Sequence, residues 1–183
     1  MKLNKIVLGV SLAFGIASFA HAAGEVAYKE QGHGTVTFTG SIIDAPCSID
    51  PDTIDQTVNL GQISNSALAA NNKTGTSMPK NFEIRLEQCN FGTAGKSVKV
   101  KFTGVEGVTK DTLGITGTAS GASIVLKDGG GNRITLGKAA EAQTLLTGNN
   151  TLSFSAYLQG DGASATIVPG DFQSVANFGL DYE

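Results

Sequence analysis

Apolar and polar residues alternate with a period of two in short runs along most of this chain. Each run is closed by glycine, proline, asparagine or serine, so the pattern predicts short strands joined by turns rather than helices. Residues 35–43 place Val36, Phe38 and Ile42 near a core, and Ala45-Pro46 ends the run. Residues 57–63 carry Val58 and Leu60 inward. The clearest alternation is 81–89, where Phe82, Ile84 and Leu86 face in and Glu83, Arg85 and Glu87 face out. Residues 97–104 bury Val98, Val100 and Phe102, and 151–158 bury Leu152, Phe154, Ala156 and Leu158. Between them, 122–127 and 133–137 flank Asp128-Gly-Gly-Gly-Asn132, a hairpin signal because glycine reaches positive φ without steric cost. Residues 64–70 have room for one helical turn after Ser-Asn-Ser. Residues 71–79 read as a loop, and 109–121 as an irregular or edge segment. No internal repeat and no linker breaks the series, so the expectation is one all-β sandwich.

The two ends do not fit a self-sufficient sandwich. Ala176, Phe178, Leu180 and Tyr182 lie on one side of a final strand, and Asn177, Gly179, Asp181 and Glu183 on the other. That strand has a strongly apolar face and no turn leading it to a partner, so its cover and its edge pairing are expected from another polypeptide. Near the other end, residues 23–34 are rich in Gly, Glu, Lys and Gln. They read either as a disordered tail or as a strand that pairs outside its own domain. The second reading notes that Val26, Tyr28, Glu30, Gly32, Gly34, Val36 and Phe38 share one side.

Residues 1–22 have the form of an export signal: Lys2 and Lys5, an apolar run over 6–19, and Ala20-His21-Ala22 as a small-x-small site, with cleavage between Ala22 and Ala23. The chain beyond Ala22 is long enough for one domain with a real core. No later stretch is long and apolar enough to span a bilayer. Past that cleavage point, 11 Lys and Arg face 16 Asp and Glu. The excess of carboxylates argues against nucleic acid or an anionic lipid surface as partner. Lys96, Lys99 and Lys101 form the one basic cluster and read as a solvated face. Export also sets the redox context for Cys47 and Cys89, an isolated pair that is most simply a structural disulfide. A metal site would want more ligands than His33 supplies, and a redox pair would favour Cys-x-x-Cys spacing.

Catalytic chemistry finds little footing. His33 is the one histidine after the signal, there is no Gly-x-Ser-x-Gly, and Asp50, Asp52 and Asp55 fall in a turn-like segment. Asp128-Gly-Gly-Gly-Asn132 lacks the ligand series of a calcium loop and the Lys-Ser/Thr of a phosphate loop. Neither an enzyme nor a cofactor nor a metal is expected. The sequons Asn72-Lys-Thr74 and Asn149-Asn-Thr151 are given no role.

Five ordered motifs carry a resemblance to a known family. They are Gly34-Thr-Val-Thr-Phe-Thr-Gly40, Ile42-Ile-Asp-Ala-Pro-Cys-Ser-Ile49, Asp55-Gln-Thr-Val-Asn-Leu-Gly-Gln-Ile63, Phe82-Glu-Ile-Arg-Leu-Glu-Gln-Cys89, and the terminal Gly170 to Glu183 with Tyr182 next to last. Together they resemble the major structural subunits of chaperone–usher fimbriae, the family of P-pilus and type 1 pilus rods. The resemblance implies an incomplete immunoglobulin-like sandwich that lacks its seventh strand and leaves a groove in the core. It implies a signal at 1–22, an N-terminal donor extension at 23–35 and a pilin domain at 36–183. Ala176, Phe178, Leu180 and Tyr182 would flank the groove, and Glu183 would offer its carboxylate to basic residues of a periplasmic chaperone. The donor strand would come from Val26, Tyr28, Gly32, Gly34, Val36 and Phe38, with Gly32 or Gly34 at a position that admits no side chain. The chaperone would fill the groove first, and at the outer-membrane usher the next identical subunit would replace it, giving a head-to-tail extracellular fibre. The readings set beside a shaft subunit are a minor adaptor or terminator pilin and, further off, an adhesin. An adhesin would need a second, receptor-binding domain and favours exposed aromatics, yet the chain has no tryptophan.

Overall fold

The computed structural model describes Lys29 and residues 31–92 and 96–183. The chain divides into two units, Met1–Ser41 and Ile42–Glu183. In the first, residues 31–41 have no regular secondary structure and every one of them is exposed. The second holds the strands β1 (Ser48–Ile49), β2 (Lys80–Cys89), β3 (Lys96–Gly104), β4 (Leu113–Gly114), β5 (Thr116–Gly117), β6 (Ala122–Asp128), β7 (Gln143–Leu145), β8 (Gly148–Gly160), β9 (Phe172–Gln173) and β10 (Ala176–Tyr182), with α1 (Pro51–Ile54) and α2 (Asn65–Lys73).

The alternation read from the sequence becomes the two inner faces of a sandwich. One sheet has the order β1-β2-β8-β6-β4 and the other β10-β3-β7, with every ladder antiparallel. Ile84 and Leu86 of β2, Ile124 and Leu126 of β6, and Leu152, Phe154, Ala156 and Leu158 of β8 are buried from one side. Val98, Val100 and Phe102 of β3 and Leu145 of β7 meet them from the other. The two layers lock through aromatic rings. Phe154 stacks on Phe82 at 5.5 Å and takes Phe102 edge-on at 5.1 Å.

Cys47, just before β1, and Cys89, at the end of β2, form a buried disulfide. It pins the strand pair in which Ser48 faces Glu87. Directly after β1, Asp50 caps the single turn of α1 by accepting from the Asp52 N–H at 2.9 Å, and it holds the Arg85 guanidinium at 2.7 Å. These two contacts keep the Asp50 carboxyl below its usual range, the backbone hydrogen bond contributing most. A depressed carboxyl stabilises the fold fully above its unfolded pKa and loses that contribution as pH falls through the folded value. Asp50→Ala is therefore expected to melt earlier than the parent at pH 7. The gap should close below about pH 4, the ordinary carboxylate range, in parallel thermal scans.

Three expectations need correction. Residues 35–43 form no strand, and Val36, Phe38 and Ile42 are 73%, 89% and 104% exposed, so none lies in a core. Val58 and Leu60 keep the predicted parity and are half-buried, but the alternation breaks after Gly61, where Ile63 rather than Gln62 is half-buried, and residues 57–63 make no ladder. Residues 133–137 form no continuous strand: Arg133 bridges to Lys127, Ile134 N–H donates to the Leu126 carbonyl at 2.9 Å and Gly137 N–H to the Phe102 carbonyl at 2.8 Å, beyond a turn in which Asp128 accepts from the Asn132 backbone. In each case apolar alternation was present and a continuous ladder with one partner strand was not, and a strand needs both. The helical turn after Ser64 is present as α2. Residues 109–121 supply only the two-residue strands β4 and β5.

Candidate strand-acceptor groove

β10 pairs with β3 over its whole length, from Ala176 opposite Gly104 to Tyr182 opposite Val98. Its other edge has no ladder among the described residues. Across the opening lies the 57–63 segment, which also makes no backbone–backbone hydrogen bond among the described residues. Gln56 fixes its start by donating from Nε2 to the carbonyl of Glu83 at 2.9 Å. Apart from the Gly61 N–H, which donates to Asn59 Oδ1 at 2.8 Å, the two stretches of backbone thus face each other without a ladder partner, a costly arrangement anywhere but at a sheet edge.

Between them runs a groove of about 830 Å³. Phe82, Phe102, Ile124, Leu126 and Leu158 form its floor, with Leu60 on one wall and Phe178 on the other. These are the side chains that would close the core of a complete sandwich. Phe178, Leu180 and Tyr182 are only half-buried although their parity turns them inward. Phe178 reaches the core rings, 6.4 Å from Phe102 between centroids, but keeps an open side. Fully burying a side chain of this size is worth about 1.5–3 kcal/mol, so a groove-filling strand has substantial apolar area to gain. Burial also raises the Tyr182 phenol above its ordinary pKa. Stability from that neutral phenol is intact below the unfolded tyrosine value and declines only as pH rises toward the folded one.

The end of the groove near Ala176 is shaped by the pairing of β5 with β9. Gly117 sits there with φ of +126° and so close to the next chain that an added Cβ would lie 2.3 Å from the Asp171 carbonyl oxygen. Only glycine permits both features. At the opposite end, Glu183 exchanges backbone hydrogen bonds with Ser97 and receives Lys99 Nζ on Oε1 at 2.5 Å. That ion pair raises the Lys99 pKa, chiefly through the hydrogen bond, and gives one member of the basic cluster a partner.

Phe178, Leu180 and Tyr182 share one face of β10 and pack against the core, and of the three Phe178 alone lines the groove. Ala176 lines the groove but is itself exposed. Gly32, Gly34, Val36 and Phe38 are exposed in the first unit, while Ala22, Ala23, Val26, Tyr28 and Glu30 lie outside the described residues. The floor residues from β2, β6 and β8 were read from the sequence as ordinary core. No local signal marks which core positions a missing strand leaves open. Asp50, Asp52 and Asp128, weighed for chemistry from the sequence, are occupied by capping, by Arg85 and by a turn.

A family model described as fimbrial protein matches residues 36–183. The chain belongs to the fimbrial protein family. Over the full length of both chains this fimbrial protein is 58% identical to the Fimbria A protein of Serratia marcescens. It is 49% identical to the major MR/P fimbria protein of Proteus mirabilis, again over all of both. Among solved structures it is similar to the P pilus rod subunit PapA, with 31% identity and a TM-score of 0.66 over 76% of this chain and 100% of that one. It is also similar to a chaperone–usher pilus subunit solved to explain rod uncoiling, at 34% identity and a TM-score of 0.74 over 85% and 98%. The pilin is a structural subunit of a surface fimbria with the immunoglobulin-like sandwich of its relatives.

Proposed function

We propose that this pilin polymerises by donor-strand exchange, with residues 26–38 of one molecule lying in the groove of the next. The observation that carries this is the unpaired edge of β10 facing the unladdered 57–63 segment across an apolar groove. A strand entering there satisfies backbone groups on both sides, and its alternate side chains fill the floor. Val26, Tyr28, Val36 and Phe38 share the inward parity with Glu30, Gly32 and Gly34, and one of the two glycines meets the part of the floor that leaves no room for a side chain. Donor and acceptor are different surfaces, so the contact does not close on itself and gives an open head-to-tail fibre of identical subunits.

An open groove is an aggregation liability in any molecule that has not yet met its neighbour. A periplasmic chaperone strand therefore occupies it first, guided by Phe178, Leu180 and Tyr182 and by the carboxylate of Glu183, and the outer-membrane usher is where the exchange takes place. The role is structural rather than catalytic, and residues 1–22 serve as the export signal.

Deleting residues 23–38 separates donor from acceptor. The shortened chain is expected to form no polymer yet to take up a synthetic 23–38 peptide one to one. Its melting temperature should rise with peptide concentration, since a ligand that binds only the folded state stabilises it by mass action. A shortened chain that is already a stable monomer and whose melting ignores the peptide would overturn the proposal.

A further inference from the structure

We infer that a second contact between copies of this chain lies at the mouth of the groove, where Val105, Val108 and Val175 of the acceptor meet Ile42 and Ile43 of the donor. This inference rests on the donor-strand reading and adds the place where the donor's body arrives. Every ladder in the structure is antiparallel, and antiparallel pairing is the more stable per residue. A donor antiparallel to β10 puts its Phe38 end beside Ala176 and its Val26 end beside Tyr182. The compact unit of the donor begins at Ile42, four residues beyond Phe38. Even fully extended, that link spans at most roughly 14 Å. The body of the donor is therefore delivered to the start of β10 and nowhere else on the acceptor.

The surface found there is apolar and ready-made. Ala176 pairs with Gly104, so Val175 and Val105 are the next residues along the two strands, and they are 63% and 72% exposed. Val108, on the adjoining loop, is 83% exposed. Single exposed valines are ordinary, but here Val105 and Val175 adjoin across the end of the ladder where the tether ends, and Val108 follows three residues after Val105. The donor's own root shows the matching character, with Ile42 and Ile43 at 104% and 57% exposed.

The loop that carries Val105 and Val108 is held rigidly. Gly107 N–H donates to the Thr112 carbonyl at 2.8 Å, and Asp111 N–H to Glu106 Oε1 at 3.2 Å. Arg133 holds the Lys110 carbonyl at 3.0 Å. The buried Ser123 hydroxyl and that of Thr109 both donate to Asp161 beneath the loop. A surface ordered before contact loses little entropy on making it. Seating the strand thus brings two apolar patches together and sets the angle between successive subunits.

The test uses fibres of the full chain. A photoreactive phenylalanine analogue at position 105 is expected to cross-link to residues 40–45 of the neighbouring subunit, mapped by mass spectrometry. The same analogue at position 96, at the start of β3 opposite Leu145 and beyond the far end of the β3–β10 ladder, should not reach them. Cross-links to 40–45 from position 96 instead, or none from position 105 in fibres that assemble normally, would overturn the inference. The pair Val105→Ser and Val108→Ser, neither residue lining the groove, should leave uptake of the 23–38 peptide unchanged and lower fibre stiffness in electron micrographs. Unchanged stiffness counts against the inference, whereas loss of peptide uptake by the parent chain would instead remove the donor-strand reading beneath it.

Discussion

Replacing Phe178 by aspartate leaves a folded subunit that no longer takes up a strand. The free groove is open to water at Phe178, which is half-buried and meets the core only on its Phe102 side. A carboxylate there stays hydrated in the uncomplemented subunit. Seating a donor strand then removes that water and offers no cation, and a buried unpaired charge costs about 3–5 kcal/mol. Since each 1.4 kcal/mol is tenfold, uptake of the 23–38 peptide should weaken by roughly two orders of magnitude or more. Isothermal titration with the peptide measures this, and circular dichroism checks the fold. Phe178→Leu, which keeps an apolar wall, should retain most of the affinity. Peptide uptake by the aspartate variant within a few-fold of the parent would show that the groove wall at β10 is not where the strand lies.

Loss of the Cys47–Cys89 disulfide is expected to be as severe, through stability rather than recognition. The bridge closes a loop with a sequence separation of 42, and the loop-entropy model assigns about 4 kcal/mol to such a closure. Most single domains have only about 5–15 kcal/mol in all. This one also leaves Phe178, Leu180 and Tyr182 incompletely covered, so its margin before complementation is small. The double variant Cys47→Ser, Cys89→Ser should lower the melting temperature of the uncomplemented subunit by roughly 10 °C. Added 23–38 peptide should recover part of that loss, because strand uptake and the disulfide stabilise the same folded state. A variant that melts with the parent would mean that the β1–β2 pair holds without its covalent tie.

The local patterns that proved legible were those whose meaning lies within a few residues. The two-residue alternation of β2, β3, β8 and β10 became inward faces with the predicted side chains buried or half-buried. The helical turn after Ser64 and the glycine turn after Asp128 also took their expected places, because a single turn is set by the conformational preferences of neighbouring residues. Residues 35–43 and 57–63 show the limit. Both alternate well, yet one is exposed and irregular and the other lacks a ladder. Alternation records which face wants burial, while pairing is decided by a second strand that can lie far along the chain or on another one.

By itself the sequence determined the class of fold, the disulfide partners, the inward side of β10 and an extension with the parity of a strand. Each comes from local stereochemistry or from composition. Only the tertiary structure decided that β10 is an edge, that Phe82, Ile124, Leu126 and Leu158 line the groove beside it, and that Val105 and Val175 sit at its mouth. Those facts depend on which distant strands become neighbours. A period of two is the same for a strand in the middle of a sheet as for one that still lacks its partner.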